Sequence, residues 1–290
     1  MCASKNESKR AVEFAEKRLI KNCYSNPFDL IDDHENWDMI LLAIKTDYNY
    51  EYLDKIISLN KLCLVEKPVS YDLNILKNYS PSTHPNVRVA YNRRFYKTMQ
   101  VAKKFIEDNS PTTCRMELPE GINFQSENKF YPVLANTVHG IDLLRYFFGD
   151  LKIVKNIETK SPEGRVVLLS NSKDDIINLS LNWNSPSNFL INIEGNDMRL
   201  EIKPFESCRL FRGMEIIEPT KDIPLRRYIP NQIDEHSSYP KTENDVKPGF
   251  YDQAMEMKNI LKGGSPLISA SLHDAYIVQK LTQQILGIAK

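Results

Sequence analysis

Short, uninterrupted apolar runs set between amphipathic helices constrain the first hundred residues of this chain more than any other feature. Asp38 to Ile44 and Leu62 to Val65 carry such runs at strand length, as expected where both faces of a strand are covered. Ser8 to Ile20 places Ala11, Phe14, Ala15 and Leu19 at helical spacing with charges between them. Tyr50 to Leu59 reads as a second amphipathic helix, Tyr71 to Asn78 as a short third, and Val87 to Tyr91 as another strand. Buried strands alternating with helices predict a parallel α/β sheet.

After about residue 110 the pattern changes. Thr112 to Leu118, Lys152 to Glu158, Arg165 to Leu169, Ile176 to Trp183, Phe189 to Glu194 and Met198 to Ile202 read as strands with few helices between them. That pattern predicts an open, mainly antiparallel sheet with helices on one face. Val138 to Phe148 is the exception, an apolar helical stripe ending at Gly149, a suitable C′ glycine. Phe250 to Leu261 and Ser271 to Leu286 form two closing helices around Gly263-Gly264, and the polar stretch Pro219 to Pro248 reads as a long surface excursion. The expected organisation is an α/β domain over 1–110 and an α+β domain over 111–290, with the C-terminal helices packing back toward the first.

Composition removes several function classes. The 38 Lys+Arg balance the 38 Asp+Glu, so no summed field draws the chain to nucleic acid or to an anionic membrane. No apolar run approaches membrane-span length, and the polar start lacks the apolar core of a signal peptide. The 5 cysteines are dispersed without CxxC spacing and read as reduced thiols, which makes the cytoplasm the expected location. His34, His84, His236 and His273 show no ligand spacing, so no metal is expected.

Three motifs carry candidate chemistry. Glu66-Lys67-Pro68 directly follows the strand ending at Val65, Tyr91-Asn92-Arg93-Arg94-Phe95 follows the next strand, and His139-x-x-Asp142 lies on the apolar helix. In this order, with a Gly249-Phe250-Tyr251 helix and Asp274-Ala275 in the last helix, most of the chain resembles the glucose–fructose oxidoreductase / inositol dehydrogenase (Gfo/Idh/MocA) family. The resemblance implies a Rossmann domain binding NAD or NADP, an open sheet through which copies pack as a homo-oligomer, and a small sugar-like substrate. It also suggests sugar metabolism, including polysaccharide biosynthesis.

Oxidising a secondary alcohol needs a hydride acceptor and a group that takes the hydroxyl proton. By the resemblance Lys67 and His139 are the catalytic candidates. The lysine would stabilise developing alkoxide charge, and the histidine would accept the proton or position substrate. Pro68 would stiffen the Lys67 turn. Substrate-binding candidates are Asn136, Arg93, Arg94 and Tyr91; cofactor-binding candidates are Glu66, Lys67, Ala43 and Lys45. Each has a plainer reading: Lys67 a solvated charge, His139 a helix cap or interface residue, Asn136 an N-cap, and the arginines a solvated face or an ion pair. Asp142, one turn from His139, is expected to be structural.

The chain departs from the family pattern in three places. Ala135 stands where an aspartate often precedes the histidine, and Ile44, Lys45 and Asn49 stand where a Thr-Pro and a later His usually approach the nicotinamide ribose. The third departure concerns glycine. Nucleotide-binding sheets normally use it at the first strand-to-helix turn, yet all 10 glycines lie at Gly121 or later. Met1-Cys2-Ala3-Ser4 resembles the family's second strand, so the first strand and glycine loop are expected to be lacking, leaving a gap in the sheet and weak or absent cofactor binding. Three readings stand: an NAD(P)-dependent sugar oxidoreductase; a non-catalytic, family-derived binding or partner subunit; and a chain whose Met1 is internal to a longer enzyme.

Overall fold

The computed structural model describes all residues except 5–7, 80–83, 111–112, 161–162, 243–245 and 289–290. Thr112, expected to begin a strand, lies outside the described residues. The helices are α1 (Lys9–Lys17), α2 (Pro27–Asp32), α3 (Asn49–Ser58), α4 (Leu73–Lys77), α5 (Lys97–Asn109), α6 (Val138–Phe148), α7 (Phe250–Leu261) and α8 (Leu272–Leu286). The strands are β1 (Cys2–Ala3), β2 (Cys23–Tyr24), β3 (Met39–Leu42), β4 (Leu62–Val65), β5 (Val87–Val89), β6 (Thr113–Glu120) and β7 (Lys152–Lys160). They continue as β8 (Glu163–Ser170), β9 (Ile176–Trp183), β10 (Leu190–Gly195), β11 (Met198–Ile202), β12 (Ser207–Ile217), β13 (Arg227–Ser237) and β14 (Ala270–Ser271). The chain divides into one unit of Met1–Ala90 with Glu256–Tyr276 and another of Tyr91–Met255 with Ile277–Lys290.

In the first unit β3, β4 and β5 run parallel, and β14 adds antiparallel to β5, in the order β14-β5-β4-β3. All four residues of β4 are buried because it lies inside the sheet. Leu62, Leu64 and Ala90 pack with Met257 of α7, while Met39 and Ile260 close over them. The apolar run Met39–Ile44 is less covered than its composition suggests. Leu41 is 60% exposed, since β3 is hydrogen-bonded to β4 alone among the described residues. The parallel pair β1-β2 forms a separate sheet, and no described strand joins it to β3.

The second unit is built on an eight-stranded sheet, ordered β13-β12-β11-β10-β6-β9-β8-β7 and antiparallel except where β6 runs parallel to β9. The period-2 alternation sends Cys114, Met116 and Leu118 of β6 to the same buried face as Leu179 of β9 and Ile191 of β10. α5 buries Thr98, Met99, Ala102 and Phe105 and ends where Ser110 turns left-handed at φ 43°. The expected excursion Pro219 to Pro248 is corrected in part. Arg227–Ser237 forms β13, paired with β12. Most β13 side chains are exposed and Pro230 interrupts the segment, so it lacks the apolar alternation that marks a half-buried strand, while its edge position tolerates the proline.

α6 reaches its depth through Gly140, where an added Cβ would lie 2.5 Å from Leu118 Cδ1 and 2.6 Å from Cδ2. Gly140→Val is expected to lower unfolding free energy by about 1–3 kcal/mol through overpacking. Denaturant titration checks this, and adding Leu118→Ala should recover part of the loss.

Candidate active site

The parallel register of the first unit aligns the carboxyl ends of β3 and β4. Leu42 lies opposite Val65, and Glu66 N–H donates to Leu42 O at 2.9 Å. The exposed Ala43 and Lys45 leave β3 at the sheet end where partly buried Glu66 and Lys67 leave β4. In parallel sheets this is the end where ligands bind. Glu66 Oε2 accepts from the Lys67 backbone N–H at 3.2 Å, and the Lys67–Pro68 peptide is cis. A residue not counted among the candidates secures the turn. Asn49, 1% exposed at the start of α3, donates through Nδ2 to Val69 O at 3.1 Å and Pro68 O at 3.4 Å.

In the second unit α6 is buried along nearly its whole length. His139 is 4% exposed, with its ring edge-on to Tyr91 at 5.7 Å between centroids. One turn further on, Asp142 receives two hydrogen bonds from Arg94, Nε to Oδ2 at 2.9 Å and Nη2 to Oδ1 at 2.6 Å. Both partners are almost fully buried, and the guanidinium also lies 5.1 Å from the Tyr146 ring centre. A carboxylate engaged by both arms of a guanidinium is a structural tie. Arg94 is thus committed to α6.

The neighbouring Arg93 points elsewhere. Its guanidinium lies 5.1 Å from the Phe189 ring centre and 5.5 Å from that of Phe205, and its Nη2 donates to Asn136 Oδ1 at 3.0 Å. Asn136 Nδ2 donates to Glu120 Oε2 at 2.9 Å, and Thr137 Oγ1 donates to the same oxygen at 2.8 Å. Asn136 sits in a π-helical turn, Val133–Thr137, that runs directly into α6. Its side chain bridges Arg93 and Glu120 rather than capping the helix. Burial pulls the Arg93 guanidinium below its ordinary value, opposed by Tyr96, Glu206 and Glu120, while burial and Glu206 push the Tyr96 hydroxyl up. Arginine stays charged through a shift of this kind. A cleft of about 280 Å³ opens here, lined by Arg93, Pro119, Ser187, Phe189, Phe205 and Glu206.

The structure thus brings His139 to Tyr91, Arg93 to Asn136, and Arg94 to Asp142. Sequence reading missed Glu120, Thr137, Phe189 and Phe205, because they come from separate strands, loops and helix ends with no shared spacing; it placed Asn49 near the cofactor end without its role in the turn.

Residues 1–82 match the family model described as an oxidoreductase family with an NAD-binding Rossmann fold, Gfo/Idh/MocA. No curated protein matches the chain by sequence. Among solved structures, a dehydrogenase from Chromobacterium violaceum is similar at TM-score 0.76 and 13% identity, over 99% of this chain and 86% of that one. A levoglucosan dehydrogenase in complex with NADH and L-sorbose is similar at TM-score 0.74 and 17% identity, with coverage of 99% and 86%. An oxidoreductase from Agrobacterium radiobacter in complex with NAD+, L-tartaric acid and magnesium follows at TM-score 0.72 and 15% identity, with coverage of 99% and 87%. The likeness in fold to these oxidoreductase structures therefore extends over nearly the whole chain. No described helix is long and apolar enough to cross a membrane.

Removing one partner of the buried pair should be costly. Asp142→Ala is expected to destabilise the protein by about 3–5 kcal/mol, because it strands a buried guanidinium. Chemical denaturation checks this, and the double change Arg94→Met/Asp142→Leu should lie closer to wild type than Asp142→Ala does.

Proposed function

We propose that this protein is an NAD(P)-dependent oxidoreductase acting on a secondary alcohol of a sugar or nucleotide sugar. The observation that carries the reading is the Glu66-Lys67-Pro68 turn, which lies in the family-matched segment at the carboxyl end of β4 and is held by Asn49. NADH, L-sorbose and levoglucosan in complexes of similar fold support the cofactor and substrate class. A bound nicotinamide supplies the hydride acceptor. Lys67 stabilises negative charge developing on the reacting oxygen, and His139 accepts the hydroxyl proton. Tyr91 orients the imidazole by its edge contact. Arg93 and Glu120 hold the Asn136 amide, and the cleft lined by Arg93 receives part of the sugar. Arg94 acts through Asp142 as a positioning residue.

The residues present fit this cofactor in part. The aligned ends of β3 and β4 suit a nicotinamide riboside. A cleft of about 440 Å³ lined by Ser4, Ser8, Lys9, Glu13 and Tyr24 offers hydroxyls, one cation and one carboxylate beside the start of α1. Residues 1–120, however, contain no glycine for a close backbone approach to the pyrophosphate. That observation favours the second reading, a family-derived binding or partner subunit that has lost cofactor binding. The proposed assembly is a homo-oligomer through the eight-stranded sheet, and the proposed location is the cytoplasm.

NADH fluorescence titration separates the two readings. We expect affinity weaker than micromolar but measurable turnover at saturating cofactor with sugar alcohols. Absence of binding and turnover would leave the partner-subunit reading. In the active enzyme Lys67→Met should lower kcat by about 10²–10³-fold, with KM moving far less, because its charge matters most in the transition state. Steady-state kinetics reads this, and unchanged kcat would remove Lys67 from the mechanism.

A further inference from the structure

Two of the five cysteines face each other across a pair of very short strands. Cys2 on β1 and Cys23 on β2 are direct register partners, with their sulfurs 3.4 Å apart. Cys2 N–H donates to Asn22 O at 3.0 Å and Ser4 N–H to Tyr24 O at 3.1 Å, which holds the two strands in that register. Cys23 is exposed and Cys2 partly so, whereas Cys63, Cys114 and Cys208 are buried. We infer that Cys2 and Cys23 form a reversible dithiol–disulfide site, oxidised by low-molecular-weight disulfides, that ties β1 to β2.

Geometry and access support the pairing. The sulfurs, 3.4 Å apart on direct register partners, need to approach by little more than 1 Å to reach the ~2.05 Å of a bond. Cys23, the more exposed thiol, attacks first. Its thiolate displaces one thiolate from the small disulfide, leaving a mixed disulfide on Cys23. The Cys2 thiolate then attacks the Cys23 sulfur, the protein S–S bond forms, and the second small thiolate leaves. The two protein thiols give up two electrons and two protons, and the small disulfide becomes two small thiols. The other cysteines are poor competitors. Burial pushes the Cys63 and Cys208 thiols up to about 12 and the Cys114 thiol well above its ordinary value, which suppresses the reactive thiolate.

The bond would matter because the sheet it crosses is small. β1 and β2 contribute two residues each, and an isolated two-stranded pair is marginal in water. A covalent tie closes the loop that carries α1 and restricts its unfolded states. Cys23 also lines the cleft beside α1, with Tyr24 and Ser4. This inference stands whether or not the chain is an oxidoreductase.

The test uses the full chain incubated with oxidised glutathione, then alkylated in denaturant and analysed by intact mass and peptide mapping. The expected result is loss of two alkylatable thiols of the five, one peptide pair joining Cys2 to Cys23, and reversal by dithiothreitol. Thermal unfolding should shift up by several degrees on oxidation. Cys2→Ser should stop at a glutathione adduct on Cys23 and show no such rise. Retention of all five thiols, an adduct on Cys23 in the wild-type chain with no internal link, or a link to any other cysteine would each overturn the inference.

Discussion

The buried pair between Arg94 and Asp142 organises the second unit. It ties the turn after Tyr91 to the middle of α6 by two charge-assisted hydrogen bonds in a site almost closed to water. Burying two charges costs several kcal/mol per ion, and only a two-armed, fully paired geometry offsets it. The pair therefore contributes more to orientation than to net stability. With Arg94 turned into the helix, its neighbour Arg93 projects toward Asn136 and the Phe189 and Phe205 rings, and His139 one turn away meets Tyr91. Glycine completes the arrangement. Gly140 lets α6 rest directly on Leu118 of β6, so the imidazole before it is set by sheet packing as well as by the ion pair.

The first unit secures the turn of its candidate lysine with the Asn49 amide and the Glu66 carboxylate. Asn49 buries a carboxamide against the carbonyls of Pro68 and Val69, which anchors the turn that carries Lys67. Under α6 the tie is ionic, and under the Lys67 turn it is an amide. Around Arg93, aromatic rings and the Glu120–Asn136 bridge hold a cation at the wall of a cleft, where it can meet a polar ligand.

Legibility in the sequence varied with burial. β4 reads correctly because four consecutive apolar residues sit inside a parallel sheet, and β6 because its buried residues alternate. β13 does not, because an edge strand exposed on both faces carries no periodic signal and tolerates Pro230. The same logic governs the site. His139 and Lys67 are visible as motif residues, and the structural character of Asp142 follows from its place one turn along the helix. Glu120 and the role of Asn49 in the turn are not visible, since each residue meets its partners only after distant segments close together. The spacing also left Arg93 and Arg94 equivalent.

The amino-acid sequence by itself determined the two architectures, because periodicity and apolar length are local properties that choose between a parallel α/β sheet and an open antiparallel one. It also located the Glu66-Lys67-Pro68 and His139-x-x-Asp142 motifs on their elements. Tertiary structure alone decided which arginine is spent on Asp142 and which lines a cleft, that Asn136 bridges rather than caps, and that Cys2 faces Cys23. Those outcomes depend on strand register, helix depth and side-chain direction, which exist only once residues far apart in the chain are packed together.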